Sequence, residues 1–154
     1  MPYLVDGNNV MALTPGWFSD RGRARRRLIF QLVSFVAVHR TKVTVVFDGA
    51  SDVDFPEGTL FKGVRIRYAR HGSDADHRIK ELVRGASFKR DIVVVTSDSD
   101  LKSFAGREGS RVLGARAFHR MLTADASDKE IKPGPDHEEV DVEEWLDFFK
   151  TRGS

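Results

Sequence analysis

Residues 92–101 read IVVVTSDSDL: four β-branched apolar residues run almost directly into two carboxylates. A strand this apolar has no polar face to turn toward water, so it belongs in a sheet covered on both sides. That requirement favours parallel strands wrapped by helices, and it leaves Asp98 and Asp100 displayed where the strand ends. The pattern recurs. Tyr3-Leu-Val-Asp6 and Lys42-Val-Thr-Val-Val-Phe-Asp48 are also apolar runs that stop on an acid.

The segments between these runs have helical spacing. From Gly22 to about His39, Leu28, Leu32, Phe35 and Val36 fall on one stripe that Ile29 and Val33 widen. Val64-Arg-Ile-Arg-Tyr68 alternates as a half-exposed strand near a sheet edge does. A helix is expected from Ser73 to about Arg84, with Ile79, Leu82 and Val83 inward. The most apolar strand spans Asp91 to Ser97, and a short helix follows from Asp100 to Ala105. Arg111 to Gly114 reads as a last strand and Ala115 to Leu122 as a last helix. Strands alternating with helices imply βαβ crossovers and a mostly parallel sheet.

At 154 residues the chain is expected to form one domain over residues 1–122. A polar linker rich in acids, carrying Pro133, Gly134 and Pro135, is expected over 123–140. A short amphipathic helix is expected over 141–152, with Val142, Trp145, Leu146 and Phe149 on one face, docked on this domain or on a partner protein. The net charge of +2 conceals a division: residues 1–122 carry +8 and residues 123–154 carry −6. A basic body suits a polyanionic partner, and an acidic tail could compete with that partner for the same surface. The absence of cysteine excludes disulfides and thiolate metal sites and fits a reducing cytoplasm. Neither a signal peptide nor a membrane-spanning run is read, so a cytoplasmic location without membrane association is expected.

In an open parallel sheet the C-terminal strand ends share one edge. Asp6, Asp48 and Asp98 would meet there, joined by Asp74 and Asp76 at the start of the helix after the third strand. Two unit charges about 4 Å apart repel by roughly 4 kcal/mol at an effective dielectric near 20. Such a group persists by taking up protons or a cation, and an all-oxygen acidic set suits Mg²⁺ or Mn²⁺. An acidic metal pocket on a basic body points to phosphodiester chemistry. Each acid also has a plainer reading. Asp6-Gly7-Asn8-Asn9 and Asp48-Gly49 are ordinary turn sequences. Ser73 with Asp76 has capping-box spacing, Asp74 suits a helix first turn, and Asp98 suits an N-cap near Ser99. It is their joint arrival on one edge that favours function.

Taken in order, YLVDGNNV, VTVVFDG, GSDADHRIKELV and VVVTSDSDL resemble the YacP-like NYN group of PIN-like metal-dependent ribonucleases, over about residues 3–122. The resemblance implies a three-layer α/β sandwich with about five strands in the order 3-2-1-4-5. It also implies a Mg²⁺ or Mn²⁺ pocket and endoribonuclease activity, in some members on messenger RNA at the ribosome. Carried over, Asp6, Asp76 and Asp98 are the metal-binding and catalytic acids, with Asp100 supporting that ion or a second one. Asn9 orients metal or phosphate, Asp48 matches the VVFD ending, and Asp74 has no clear match. Asn8, Asn9 and Ser97 are candidates for phosphate oxygens. In-line attack by water would leave a 5′-phosphate and need no 2′-OH nucleophile.

Arg21, Arg23 and Arg26 open the first long helix, where cations oppose the helix dipole; contact with an RNA backbone would account for them, as would a solvated face. Trp17 and Phe18 suit core anchors better than base stacking. His71 and His77 flank the Asp74–Asp76 segment and His119 lies on the last helix, all three read as surface or packing groups. No Walker A or G-x-G-x-x-G occurs, so no nucleotide cofactor is expected. Two other classes stay open: an RNA- or ribosome-binding module with weak or no cleavage, and a small-molecule phosphohydrolase. A homo-oligomer is compatible with all three.

Overall fold

The computed structural model describes residues 2–69 and 74–130, with side chains through Ala124. Strand β1 (Tyr3–Asp6) runs straight into a short helix α1 (Gly7–Met11), and α2 (Arg21–His39) leads to β2 (Val43–Phe47). A hairpin of β3 (Thr59–Phe61) and β4 (Val64–Tyr68) precedes α3 (Ala75–Arg84). Then come β5 (Val93–Val95), α4 (Ser99–Arg107), β6 (Arg111–Leu113) and α5 (Ala115–Glu130). The sheet order is β3-β4-β2-β1-β5-β6, parallel throughout except for the β3–β4 pair. Without β3 this is the expected order 3-2-1-4-5.

β1 lies between β2 and β5, with Val5 opposite both Val45 and Val95. Because side chains alternate along a strand, each interior strand divides its residues between two helical layers. Val5, Val45, Ile66 and Val95 enter the core shared with Val10, Phe35 and Phe118, on the side of α1, α2 and α5. Leu4, Val46 and Val94 face Ile79, Val83, Leu101 and Phe104 on α3 and α4. Phe35 is fully buried and meets the rings of Tyr3 and Phe118 edge-on at 5.0 Å. Removing such an anchor typically costs about 3–5 kcal/mol. The same alternation governs the strand ends. Two residues past Leu4, Val46 and Val94 stand Asp6, Asp48 and Thr96, all directed to the α3/α4 side.

The structure departs from the sequence reading at several places. β3 is an added sixth strand, and its two-residue loop has Lys62 and Gly63 both at positive φ, 48° and 89°. That geometry matches the twist of the hairpin. A Cβ on Gly63 would lie 2.6 Å from Val36 on α2, so the loop is also closed to side chains by packing. The DGNN segment is the start of α1 rather than a turn. Gly7 is required there, since a Cβ would sit 2.6 Å from the Phe47 ring. α3 begins at Ala75 with Asp74 as its cap, rather than opening at Ser73. A 3-10 turn (Lys89–Asp91) precedes β5, and α4 is longer than expected at both ends. α5 continues to Glu130, so the stretch expected as linker from Thr123 begins as helix. The rest of that stretch and the helix expected over 141–152 lie outside the described residues.

Candidate active site

Asp6 closes β1 on the α3/α4 side and is only 5% exposed. Burial pushes its carboxyl up to about 6, and the nearby Asp48 and Asp76 carboxylates add to that rise. The Thr96 hydroxyl and the Asn9 backbone amide act the other way. Thr96 is the next residue along β5 after Val95, so the β1–β5 register delivers it beside Asp6. Its single hydroxyl proton faces Asp6 Oδ2 at 3.0 Å and Asn9 Oδ1 at 3.2 Å, and its oxygen accepts from the Asp98 amide at 3.1 Å. Asn9 Oδ1 also accepts from the Ser97 amide at 2.7 Å. One threonine therefore joins the ends of β1, α1 and β5.

A second set of contacts ties β2 to α3. Asn8 Oδ1 accepts from the Asp48 amide at 2.9 Å, and Asp48 Oδ1 accepts from the Ala75 amide at 2.6 Å. Arg25 completes the brace. Its guanidinium donates to the carbonyls of Asp48 (2.9 Å) and Ala50 (3.0 Å) and lies about 5 Å from the ring centres of Phe47 and Tyr68. Asp48 thus holds the first turn of α3 in place, while Asp74 caps it through the His77 amide at 2.9 Å.

With that turn fixed, Asp76 faces the start of α4. Asp98 caps α4 by accepting from the Leu101 amide at 3.0 Å, which uses one of its two oxygens. Asp100 lies in the first turn and is 73% exposed at its side chain. Asp76, Asp98 and Asp100 each bring a carboxylate oxygen within 4.8 Å of the others. Asp6 is outside this trio and is more deeply buried, close enough for Asp76 to raise its pKa. Lys80 sits among the exposed oxygens, 3.2 Å from Asp76 Oδ2 and 2.8 Å from Asp100 Oδ2.

Residues 3–147 match the YacP-like NYN domain. The chain belongs to that family. Among solved structures it is similar to Rae1 (YacP) from Bacillus subtilis. A tryptophan-to-leucine mutant of that protein superposes with a TM-score of 0.70 at 24% identity, covering 99% of this chain and 95% of the other. A second crystal structure of Rae1 gives 0.70 at 23% identity over 86% and 79%. At that identity the likeness is one of fold. The search of curated proteins returned no match.

NYN domains have a nuclease-like fold, and their nucleases are generally dependent on a divalent metal. The residues of this NYN chain fit such an ion. The donors are all carboxylate oxygens, the set that Mg²⁺ and Mn²⁺ favour. Asp76 Oδ1 is buried and makes no hydrogen bond, and the neighbouring Oδ2 already attracts a cation in Lys80.

The basic residues of α2 divide. Arg26 is engaged, with two 3.1 Å bonds to Asp52 and a 2.7 Å contact with Asp54. The Arg26 guanidinium holds the Asp52 carboxyl below its ordinary range. Arg23 is exposed, and so is Arg21, whose guanidinium lies 5.3 Å from the Trp17 ring centre. Trp17 packs against the core, whereas Phe18 beside it is 68% exposed. His77 is exposed and 3.9 Å from Glu81, and His119 is half-buried with its pKa lowered by burial and then by Arg116. His71 lies outside the described residues. Thr96, Arg25 and Lys80 were not singled out from sequence. Lys80 had a signal there, since it comes four residues after Asp76 on a helix.

Proposed function

We propose that this NYN domain is a divalent-metal-dependent endoribonuclease. What carries the reading is the approach of Asp76, Asp98 and Asp100 to within 4.8 Å at the C-terminal edge of the sheet. These residues come from two helix starts on successive βα units. In the proposal they hold Mg²⁺ or Mn²⁺. When bound, that ion supplies charge neutralisation for the phosphate and a lowered pKa for water.

The chain's own groups do the rest. Asp6 adds negative potential beside Asp76, fixed by Thr96. With a carboxyl near 6 it can hold or release a proton close to neutral pH. Asp48, Asn8 and Asn9 keep the strand ends and helix starts in register through the bonds described above. In the proposal the exposed Ser97 hydroxyl and the Asn9 amide nitrogen serve as neutral donors to phosphate oxygens. Arg21 and Arg23 extend a cationic surface along α2 for the RNA backbone, whereas Arg26 is already neutralised by its two aspartates. Family resemblance extends the substrate to messenger RNA at the ribosome, and a cysteine-free chain with that substrate suits the cytoplasm. No described helix is long and apolar enough to cross a membrane.

Incubation with labelled single-stranded and structured RNAs, in Mn²⁺ and in EDTA, tests the proposal. Cleavage is expected in Mn²⁺, abolished by EDTA, and reduced on the order of 100-fold or more in Asp98→Asn. Asparagine is itself a good N-cap, so this variant keeps the start of α4. Metal-independent RNA binding without cleavage would replace the enzyme by a binding module.

A further inference from the structure

Lys80 is the one cation that touches two members of the trio among the described residues, and its contacts fall on two of the three carboxylates an incoming ion would use. Its ammonium lies 2.8 Å from Asp100 Oδ2 and 3.2 Å from Asp76 Oδ2. Both carboxylates raise its pKa above the ordinary lysine range, Asp100 first. The ammonium also lies 5.6 Å from the centre of the Phe104 ring, while Arg84 occupies the same ring at 5.0 Å. Its stem is anchored on α3, one helical turn beyond Asp76, so the head can leave the carboxylates without any backbone change.

We propose that Lys80 is a tethered counter-cation that a divalent ion must displace, so that ion uptake and Lys80 release are one coupled step. The proposal rests on the metal reading above and deepens it. In the ion-free protein Lys80 offsets the repulsion among Asp76, Asp98 and Asp100 and keeps the two helix starts together. When the ion takes those carboxylates, the ammonium is left next to the trio with its charge unpaired, in reach of the anion that the ion attracts. Lys80 therefore lowers affinity for the free ion and raises affinity for an ion accompanied by phosphate.

Isothermal titration of the metal-free protein with Mn²⁺ at low ionic strength reads the first half. Lys80→Met keeps the apolar stem against Phe104 and removes the competitor. It is expected to bind Mn²⁺ about three- to tenfold more tightly than the wild type. Arg84→Met removes one positive charge from the same ring but no contact with the trio, and it is expected to leave the Mn²⁺ Kd within about twofold. The second half is read in the unaltered protein, by tracking the lysine Cε–Hε signals during a Mg²⁺ titration. The signal missing from Lys80→Met should shift with the same midpoint as ion uptake. Equal Mn²⁺ affinity in wild type and Lys80→Met, equal gains in both variants, or a Lys80 signal indifferent to Mg²⁺ would overturn the role of Lys80 and leave the metal site standing. Absence of uptake by every protein would overturn both.

Discussion

The Thr96 hydroxyl donates to Asp6 Oδ2 across 3.0 Å, although the two residues are ninety positions apart in sequence. Parallel pairing of β1 with β5 makes that contact possible, and the side-chain alternation of both strands aims it at the α3/α4 layer. The cost is a carboxyl held out of water.

That cost gives stability a defined pH dependence. The Asp6 carboxyl is raised from 3.8 to about 6, so between those values the folded protein keeps a proton that the unfolded chain has released. Its contribution is favourable below about pH 4, is lost as pH rises through about 6, and is constant above. The loss is at most about 3 kcal/mol. Asp6→Asn keeps an oxygen for Thr96 and has no charge to bury. Urea unfolding should therefore find the variant more stable than wild type at pH 7.5, by about 1–3 kcal/mol, and nearly equal at pH 4.

Asp48 acts by position. Asp48→Ala leaves the Ala75 amide without its 2.6 Å acceptor at the start of α3. A stability loss of about 1–2 kcal/mol is expected. Cleavage should fall on the order of tenfold as Asp76 loses its alignment, with the Kd for RNA unchanged. Asp48→Asn, which retains an acceptor, should recover most of the rate. Rates of single-turnover cleavage beside filter-binding affinities distinguish this from a direct ligand role, in which asparagine would fail as alanine does.

Gly7 has no room for a methyl group, since a Cβ would stand 2.6 Å from two atoms of the Phe47 ring and 3.0 Å from Val45. Gly7→Ala should lower stability by about 1–3 kcal/mol in chemical denaturation. Because Asp6 and Asn9 flank the site of the clash, cleavage should fall with it.

Arg23 and Arg26 should behave differently although both belong to the same basic run. Arg23→Ala should reduce the slope of log K for RNA against log salt by about one. Arg26→Ala should leave the slope nearly unchanged and instead destabilise the fold, since it abandons Asp52, whose side chain is only 9% exposed. Salt titrations of RNA affinity, with thermal melts of both variants, separate the two.

Much of this architecture was legible because strands buried on both faces leave a strong apolar signal. VVFD, VVVTSD and YLVD mark three neighbouring strands, and their parallel order is implied by the helices between them. The elements that carry no such signal have local sequence at odds with their structure. GNNVM is made partly of turn residues, and it is helical because Val10 and Met11 are buried against α2 and α5. TLF is short, and its loop carries Lys62 where asparagine or aspartate would have marked a hairpin. Residues 123–130 have no apolar stripe to extend the helix that reaches Leu122, so the polar composition read as linker.

The acids of the site stood out as strand endings, but their division did not. The sequence reading sets Asp6, Asp76 and Asp98 around one ion with Asp100 in support. In the structure Asp76, Asp98 and Asp100 meet most closely, because the last two share the start of α4, and Asp6 is buried near Asp76. Residues that act through contacts across the sheet, such as Thr96 and Arg25, have no pattern along the chain to reveal them.

A crystal soaked in Mn²⁺, with data collected at the manganese absorption edge, addresses the metal centre most directly. An anomalous peak bounded by the carboxylates of Asp76, Asp98 and Asp100 is expected, lost in crystals of Asp98→Asn. A map without density at that position, from protein that still cuts RNA in Mn²⁺, would contradict the account.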